Sequence, residues 1–297
     1  MEKTMLFIYN PVSGRGQIKD AMTDILETLT KHNYRVTVHP TAKKHDCYEY
    51  FSNHALNYDV IAVCGGDGML NETVNAVMQF LPDERPPIAY IPAGSTNDFA
   101  ASVGLSNDIR SCARKIKKGK PFLCDAGSFG DKYFAYIAAF GAFTSVAYDT
   151  SQELKNTFGH FAYIVEGIRR LGTIKANHMK ITAEGKVIEG NFIYGMITNT
   201  LQVGGIFRTQ GTSTKSLNDG MFEVLLVRET KNPLDLQAIL AAMVSQNFSS
   251  DLFVSFKASE ITLESDAPIP WTIDGEYGGD VEKAKIRNIH DAFAVIV

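Results

Sequence analysis

The fold is decided by residues 60–72, VIAVCGGDGMLNE. The stretch opens with a short apolar run rich in β-branched residues, which predicts a buried strand where glycine bounds it. Three glycines around one aspartate follow, and apolar residues then recur at helical spacing from Met69 to Met78. Such a strand, turn and helix aim backbone N–H groups and the positive helix end at one point, which suits phosphate. Taken alone, the stretch is also compatible with an ordinary glycine-capped turn.

The composition is that of a globular protein with room for two domains. The chain has 297 residues and a net charge of -4, which argues against a general nucleic-acid binder. Its four cysteines form no CxxC pair and are expected to be core thiols in a reducing compartment. No signal peptide and no apolar run long enough to span a bilayer is found. We therefore expect a cytoplasmic protein whose contact with a membrane, if any, is peripheral.

The first part of the chain alternates strands and helices, which predicts a parallel sheet covered on both faces. Strands are predicted at 4–9, 34–39, 59–64 and 87–91. In such a sheet, ligands bind beyond the carboxyl ends of the strands. The polar loops that follow the strands should gather there: Asn10–Gly16, Thr41, Gly65–Glu72 and Gly94–Asp98.

These loops carry groups that suit a nucleotide. Asn10, Ser13 and Gly14 offer an amide, a hydroxyl and a flexible backbone. Hydroxyls and acceptors for a phosphate or a ribose follow the fourth strand, at Ser95, Thr96, Asn97 and Asp98. Each loop alone is as well explained by a turn and a helix cap. Three of them on one sheet edge favour a binding site, although GxxxxGK[ST] and GxGxxG are both absent.

The second part of the chain is predicted to be rich in strands. They are expected at 122–129, 133–139, 178–183, 186–199, 221–228, 260–264, 271–273, 281–289 and 293–297, with helices over Thr157–Arg170 and Pro233–Ser245. This pattern indicates an antiparallel sandwich or barrel. We therefore predict an α/β domain over residues 1–122 and a β-rich domain over residues 123–289. Residues 290–297 are the candidate for a strand that returns to the first domain.

An acidic motif in the second part of the chain has the chemistry of phosphoryl transfer. Asp274-Gly275-Glu276 follows a predicted strand, and its carboxylates can act as a base for a hydroxyl or hold Mg²⁺. A plain Asp-Gly hairpin turn is the alternative. Asp67 can contact a nucleotide or its metal, or be a turn aspartate without a ligand. The residues alone do not decide between Asp274 and Glu276.

Together these motifs resemble the diacylglycerol kinase catalytic domain. The resemblance is carried by Gly65-Gly66-Asp67-Gly68 with LNE after it, by NPxSG at residues 10–14, by PAGSTNDF at residues 92–99, and by the Asp-Gly-Glu motif. It covers nearly the whole chain and is closest to soluble bacterial lipid kinases. It implies an α/β first domain with a parallel sheet, similar to NAD kinases and phosphofructokinases, and a mainly antiparallel β-sandwich second domain. The active cleft would lie between them.

The resemblance also implies roles for single residues. Contacts to ATP fall on Asn10, Ser13, Gly14, Thr41, Gly65, Gly66, Asp67, Gly68, Met69, Leu70, Asn71, Glu72, Ser95, Thr96, Asn97 and Asp98. The catalytic acids are Asp67 and either Asp274 or Glu276. A structural Mg²⁺ is implied at Asp219 and the carbonyl groups of Ser216 and Met221, where a plain turn is the alternative. Met69 departs from the family, which usually has threonine there.

The expected function is an ATP- and Mg²⁺-dependent lipid kinase. The γ-phosphoryl group would pass to a lipid hydroxyl, with diacylglycerol as the leading acceptor and phosphatidic acid as the product. The sequence does not choose diacylglycerol over phosphatidylglycerol or a sphingoid base, and it leaves a homodimer open. One alternative is a kinase of a soluble metabolite, similar to NAD kinase. A second, motivated by Met69, is a nucleotide sensor with little turnover.

Overall fold

The computed structural model describes residues 2–141, 175–199, 202–203, 207–208 and 217–297. The helix predicted over Thr157–Arg170 and the candidate ligand Ser216 lie outside these residues. No helix in the described part of the chain has the length and apolar character that crossing a membrane requires.

The first part of the chain alternates strands and helices as the sequence predicts. Its strands are β1 (Lys3–Tyr9), β2 (Tyr34–Pro40), β3 (Val60–Gly65) and β4 (Ile88–Pro92). Its helices are α1 (Gln17–Lys31), α2 (Asp46–His54), α3 (Asp67–Val77), α4 (Asp98–Ser102) and α5 (Ile109–Lys115). The strands are parallel in the order β2-β1-β3-β4, so their carboxyl ends share one edge.

Burial explains why this sheet is central. Every residue of β3 and β4 is buried, as expected for parallel strands covered on both faces. On one face, Phe7 packs in a core with residues of α1 and α5 such as Ile25 and Ala113. On the other face, Ile61 packs in a core that includes Phe51 of α2. The two cores fix the sheet edge from which the polar loops emerge.

The second part of the chain is mainly antiparallel. Its longer strands are β5 (Pro121–Phe129), β6 (Lys132–Phe134), β7 (Ile137–Gly141), β8 (Asn177–Ala183), β9 (Lys186–Thr198), β12 (Phe222–Arg228), β13 (Phe253–Ala258), β14 (Glu260–Ile273) and β15 (Glu276–Ile296). The short strands β10 (Gln202–Val203) and β11 (Phe207–Arg208) pair with each other, and helix α6 spans Pro233–Ser245. Buried Trp271 packs against Phe129 and Phe140 in the core of this part.

The predicted strand breaks at 265–270 and 290–292 are wrong, because β14 and β15 each continue through them. In β14 the pairing with β15 shifts register between Glu264 and Ile269, and this irregularity accommodates Pro268. In β15 the register against β5 shifts between Ile289 and Phe293. Strand β13 was missed altogether.

Strand β15 connects the two parts of the chain. It pairs antiparallel with β14 and β5, and its end runs parallel to β4, with Val295 opposite Ile88. Residues near the C-terminus therefore lie in the same sheet as the first four strands. The β14–β15 hairpin ends in a tight turn that reaches the edge where the polar loops lie.

Candidate active site

Three loops meet at the carboxyl ends of the parallel strands. A Cβ atom built on Gly94 would lie 2.7 Å from Cα of Gly66, so these two loops touch backbone to backbone. A Cβ atom built on Gly14 would lie 3.1 Å from the carbonyl oxygen of Ala93, and Gly14 has φ +58°. Only glycine permits contacts this close. The loops predicted from sequence to gather at one edge therefore form a single backbone-lined surface.

We expect Gly94→Ala to disturb this surface. The new methyl group would lie 2.7 Å from both Gly66 Cα and Asn97 Oδ1, so the loops must separate. Overpacking of this kind lowers the free energy of unfolding by about 1–3 kcal/mol, and we expect weaker nucleotide binding as well. Urea unfolding and nucleotide titration measure both effects. Gly130→Ala is the control, because its methyl group enters open space and only φ +60° opposes it. Equal effects of the two variants would contradict the packing argument.

Asp67 and Asn97 connect the glycine turn, residues 65–68, to the loop after β4. The backbone N–H of Asn97 donates to Asp67 Oδ2 at 2.9 Å. The Asn97 amide bonds Gly94 at both ends, accepting from its N–H at 2.9 Å and donating to its carbonyl at 3.0 Å. Asn97 tolerates the left-handed conformation, φ +55°, that this arrangement needs. The side chains of Asp67 and Asn97 therefore fix the glycine turn against the loop after β4.

Asp67 has one carboxylate oxygen to which no described residue donates a hydrogen bond. Its Oδ1 is buried and has no hydrogen-bond partner among the described residues. Burial, followed by the nearby Asp98 carboxylate, raises the pKa of Asp67 to about 6, although the N–H groups of Asn97 and Asp98 oppose this shift. A buried acceptor without a partner is unfavourable, so the site is poised to take a donor or a cation there.

This raised pKa predicts a pH dependence of stability. The carboxyl group binds its proton more tightly in the folded chain than at the ordinary pKa of 3.8. Its contribution to the free energy of unfolding therefore falls as pH rises from about 4 to about 6. Asp67→Asn removes this loss, so the stability of the variant relative to wild type should increase by about 1–3 kcal/mol over that window.

Urea unfolding of the nucleotide-free protein at pH 4.5 and pH 7 tests this expectation. Exposed Asp83→Asn is the matched control. A difference between Asp67→Asn and wild type that does not change with pH would contradict the expectation.

The tip of the β14–β15 hairpin carries the acidic motif. Ile273 pairs with Glu276, which leaves Asp274 and Gly275 as a two-residue turn. Their φ angles are +48° and +84°, as in the type I′ turn that Asp-Gly favours. The turn interpretation and the functional interpretation of this motif are thus compatible, because the turn presents the two acids in different directions.

Asp274 points into the protein and is fully satisfied. It is buried, and its oxygens accept from the N–H groups of residues 135, 136 and 137 at 2.7–3.1 Å and from Asn71 Nδ2 at 2.9 Å. Burial raises its pKa to about 6, although these hydrogen bonds oppose the rise. With both oxygens occupied, Asp274 is placed to hold the hairpin against α3 rather than to meet a substrate.

A side-chain network extends this contact. Asn71 and Asn75 lie one turn apart on α3, and both donate to the carbonyl oxygen of Tyr133, at 3.1 and 2.8 Å. The N–H of Tyr133 donates back to Asn75 Oδ1 at 2.8 Å. The Asn71 amide is therefore hydrogen-bonded to other protein groups and connects α3 to Asp274. Sequence reasoning missed Asn75 and Tyr133, since neither belongs to a motif.

Glu276 points out into the site. Its side chain is 51% exposed, and its Oε1 lies 3.5 Å from the position of a Cβ atom on Gly68, in the first turn of α3. Lys44, from the loop after β2, donates to Glu276 Oε2 at 2.8 Å. Glu276 is thus the acid of the hairpin that faces the glycine turn. No sequence signal marked Lys44, because a lysine in a polar loop is usually solvated.

Three residues predicted to contact ATP point elsewhere. Glu72 accepts from the N–H groups of His45 and Tyr48 at the start of α2, so its carboxylate caps that helix. Leu70 is fully buried in the core. Met69 is 8% exposed, and its Sδ lies 2.5 Å from the position of a Cβ atom on Gly65.

The remaining candidates lie on the loops that emerge at this edge. Asn10 uses its Oδ1 to accept from the N–H of Val12 at 3.0 Å, which shapes the first loop. Ser13 begins a short 3-10 turn there, and Thr41 is fixed by its N–H, which donates to the Tyr9 carbonyl at 2.9 Å. Ser95 is exposed and Thr96 is partly exposed.

Of the ligands predicted for a structural Mg²⁺, Asp219 already has protein donors. Asp219 accepts from the Met221 N–H at 3.1 Å and from Lys257 Nζ at 3.0 Å. Both Asp219 oxygens therefore have a protein donor, one of them an ammonium group, and the structural Mg²⁺ at this position stays a prediction. Nearby, buried Asp125 accepts from the Gly220 N–H at 2.7 Å and pairs with His290 Nδ1 at 2.9 Å. This Asp125 contact raises the pKa of His290.

Comparison with known proteins agrees with this architecture. Residues 4–129 match the family described as diacylglycerol kinase catalytic domain, and residues 139–296 match the YegS C-terminal NAD kinase beta sandwich-like domain. The diacylglycerol kinase of Bacillus subtilis (strain 168) is 30% identical over 279 residues, which is 93% of this chain and 91% of the relative. That of Staphylococcus aureus (strain MRSA252) is 33% identical over 282 residues, 94% of this chain and 88% of the relative.

Solved structures share the fold. The crystal structure of a diacylglycerol kinase from Bacillus anthracis strain Sterne has a TM-score of 0.76 at 22% identity, covering 99% of this chain and 96% of that one. Another chain from the same organism reaches a TM-score of 0.84 at 24% identity, covering 99% and 97%. The predicted two-domain layout with a β-rich second domain is thereby confirmed.

The glycine turn that faces an acidic hairpin and the matched catalytic domain together indicate a phosphotransferase of the lipid-kinase class. The chain belongs to the diacylglycerol kinase family. The predicted family membership and enzyme class, an ATP-dependent lipid kinase, are thus confirmed.

Proposed function

We propose that this protein transfers the γ-phosphoryl group of ATP to diacylglycerol, giving phosphatidic acid and ADP. The observation that carries the proposal is the juxtaposition of Glu276 with the glycine turn. Glu276 Oε1 lies 3.5 Å from the Gly68 Cβ position, and the turn is the N-terminal end of α3. A phosphate on that turn would lie beside the exposed carboxylate of the hairpin.

The backbone-lined surface supports the triphosphate. The first amides of a helix have no partner inside the helix and carry partial positive charge, so Gly66, Asp67 and Gly68 present donors to phosphate oxygens. The close contacts of Gly14 with Ala93 and of Gly66 with Gly94 leave no room for a side chain between these loops. Phosphoryl transfer depends mainly on such positioning and on charge stabilisation.

Glu276 is the base in this proposal. The lipid hydroxyl oxygen attacks the γ-phosphorus as the bond to the β–γ bridging oxygen breaks, and the hydroxyl proton passes to the Glu276 carboxylate. ADP and the phosphorylated lipid are the products. Asp274 is unsuited to this step because the N–H groups of residues 135–137 and Asn71 occupy its oxygens. It acts as a positioning residue that sets the hairpin.

Asp67 is the candidate to hold the Mg²⁺ that accompanies ATP. Its buried Oδ1 has no partner among the described residues, so the donor set fits a cation or its bound water. When bound, Mg²⁺ supplies charge neutralisation on the phosphate oxygens. Asp219 does not fit such a role in this arrangement, because Lys257 is already its partner.

The acceptor is taken from the relatives. Both named homologues are diacylglycerol kinases at about one-third identity over nearly the whole chain. The competing soluble-metabolite kinase, similar to NAD kinase, shares the glycine turn, and its case rests on the second domain's likeness to the NAD kinase sandwich. The two candidates differ in acceptor and not in the use of ATP.

Phosphotransfer from γ-labelled ATP tests the proposal. The purified protein is incubated with mixed micelles that contain diacylglycerol, phosphatidylglycerol or sphingosine, and separately with NAD. We expect labelled phosphatidic acid to form, and to form only when Mg²⁺ is present. Label in NAD or in another lipid, with none in phosphatidic acid, would overturn the acceptor. ATP binding without transfer to any of them would favour the sensor.

A further inference from the structure

We propose that Lys44 is an exchangeable counter-ion, which pairs with Glu276 in the nucleotide-free enzyme and moves to the terminal phosphate when ATP binds. The inference rests on the proposed function and adds a residue that positions both the base and the nucleotide. It makes ATP binding the event that releases the second carboxylate oxygen of Glu276 from Lys44.

The pair links the two parts of the active site. Lys44 comes from the loop after β2, and Glu276 from the hairpin at the start of β15. Lys44 Nζ is 2.8 Å from Glu276 Oε2, whereas the other oxygen, Oε1, faces Gly68. One carboxylate thus contacts the ammonium group with one oxygen and faces the glycine turn with the other. A terminal phosphate on that turn would come within reach of the same ammonium group.

The backbone that carries Lys44 is held at both ends. Before it, the Thr41 N–H donates to the Tyr9 carbonyl at 2.9 Å, and the Ala42 N–H donates to Asp46 Oδ2 at 2.6 Å. After it, the His45 N–H donates to Glu72 Oε1 at 3.1 Å. Glu72 belongs to α3, so the loop is fixed to the helix that bears the glycine turn. Only the side chain of Lys44 has to move for the exchange.

Because of charge and exposure, the free-energy cost of moving Lys44 from Glu276 to the phosphate is small. The side chains of Lys44 and Glu276 are 66% and 51% exposed, and ion pairs in such positions are weak. A terminal phosphate carries more negative charge than one carboxylate, so the ammonium group gains by moving. Once Lys44 has left, Glu276 Oε2 no longer accepts its hydrogen bond, so both carboxylate oxygens can accept from the lipid hydroxyl. The exchange therefore couples nucleotide occupancy to the number of Glu276 oxygens that can act as the base.

Lys43 is a matched control in the same loop. Its Nζ pairs with Glu49 Oε2 at 2.7 Å, and its side chain is 63% exposed. Lys43→Gln removes the same charge from the adjacent residue without touching Glu276. Any effect of net charge or of loop folding alone should be equal in Lys43→Gln and Lys44→Gln.

The test compares ATP with ADP. Affinities of both nucleotides are measured by calorimetry with Mg²⁺ for wild type, Lys44→Gln, Lys44→Arg and Lys43→Gln. We expect Lys44→Gln to weaken ATP about tenfold and ADP less than about twofold, because the exchange concerns the terminal phosphate. Lys44→Arg should keep most of the ATP affinity and Lys43→Gln all of it. Equal losses for ATP and ADP would indicate a merely structural role and overturn the inference.

A double-variant cycle tests the competition itself. Glu276→Gln removes the carboxylate that Lys44 contacts and should tighten ATP binding, partly by removing a negative charge and partly by releasing the ammonium group from that carboxylate. Only the second contribution requires Lys44. The increase in ATP affinity caused by Glu276→Gln should therefore be about threefold larger when it is introduced into wild type than when it is introduced into Lys44→Gln. Equal gains would overturn the exchange. If wild type phosphorylates no lipid, the proposed function fails; if it does and Lys44→Gln behaves like Lys43→Gln, this inference alone fails.

Discussion

Glu276→Gln should lower kcat for lipid phosphorylation by about 100- to 10,000-fold, the usual contribution of a general base. Glutamine keeps the shape of the side chain and cannot take up the hydroxyl proton. The side chain is exposed at the tip of the hairpin, so the fold should be unaffected. Single-turnover phosphotransfer with saturating lipid and ATP measures the loss, and thermal unfolding verifies that the variant is folded.

The control for this result is Glu282→Gln, an exposed glutamate further along the same strand, β15. It should retain wild-type kcat. Nucleotide affinity should not fall in Glu276→Gln, because the change removes negative charge beside the phosphates. A Glu276→Gln enzyme with more than about a tenth of wild-type kcat would show that another group takes the proton.

Asp274→Ala should lower the free energy of unfolding by about 3–5 kcal/mol. The substitution leaves the N–H groups of residues 135, 136 and 137 without their acceptor in a buried position. It also places alanine at φ +48°, a conformation that aspartate and asparagine tolerate better. The hairpin that carries Glu276 should then lose its fixed position against α3, so kcat should fall as well.

Two comparisons separate these effects. Asp274→Asn retains one oxygen and the tolerance for the left-handed conformation, so its loss of stability should be smaller than that of Asp274→Ala. Exposed Asp131→Ala, in the turn between β5 and β6, should change stability by less than about 0.5 kcal/mol. If Asp274→Ala and Asp131→Ala change the free energy of unfolding equally, the buried hydrogen bonds of Asp274 contribute little to stability and the positioning role is wrong.

Local sequence determined the elements around the glycine turn. β3 and α3 were predictable because their apolar periodicities differ and a glycine run separates them. The gathering of the loops followed from parallel pairing, since β1, β3 and β4 end at the same edge. The course of β14 and β15 was not predictable, because prolines and polar residues inside them resemble turns.

The different roles of Asp274 and Glu276 could not be predicted from the sequence. It depends on N–H groups at residues 135–137, which approach Asp274 only in the folded sheet. The partner of Glu276 lies 232 residues away along the chain at Lys44. Glu72 was predicted as a nucleotide contact and caps α2 instead, because the start of that helix happens to pack beside α3. Contacts of this kind are set by packing and leave no local pattern.

A crystal structure of the Glu276→Gln variant with ATP and Mg²⁺ tests the central claim most directly. The variant should turn over slowly enough for the intact nucleotide to be observed. We predict that the triphosphate lies on the N–H groups of residues 66–68 and that the γ-phosphate contacts the side chain at position 276. A nucleotide bound away from this turn, or one with its γ-phosphate directed away from the hairpin, would contradict the account.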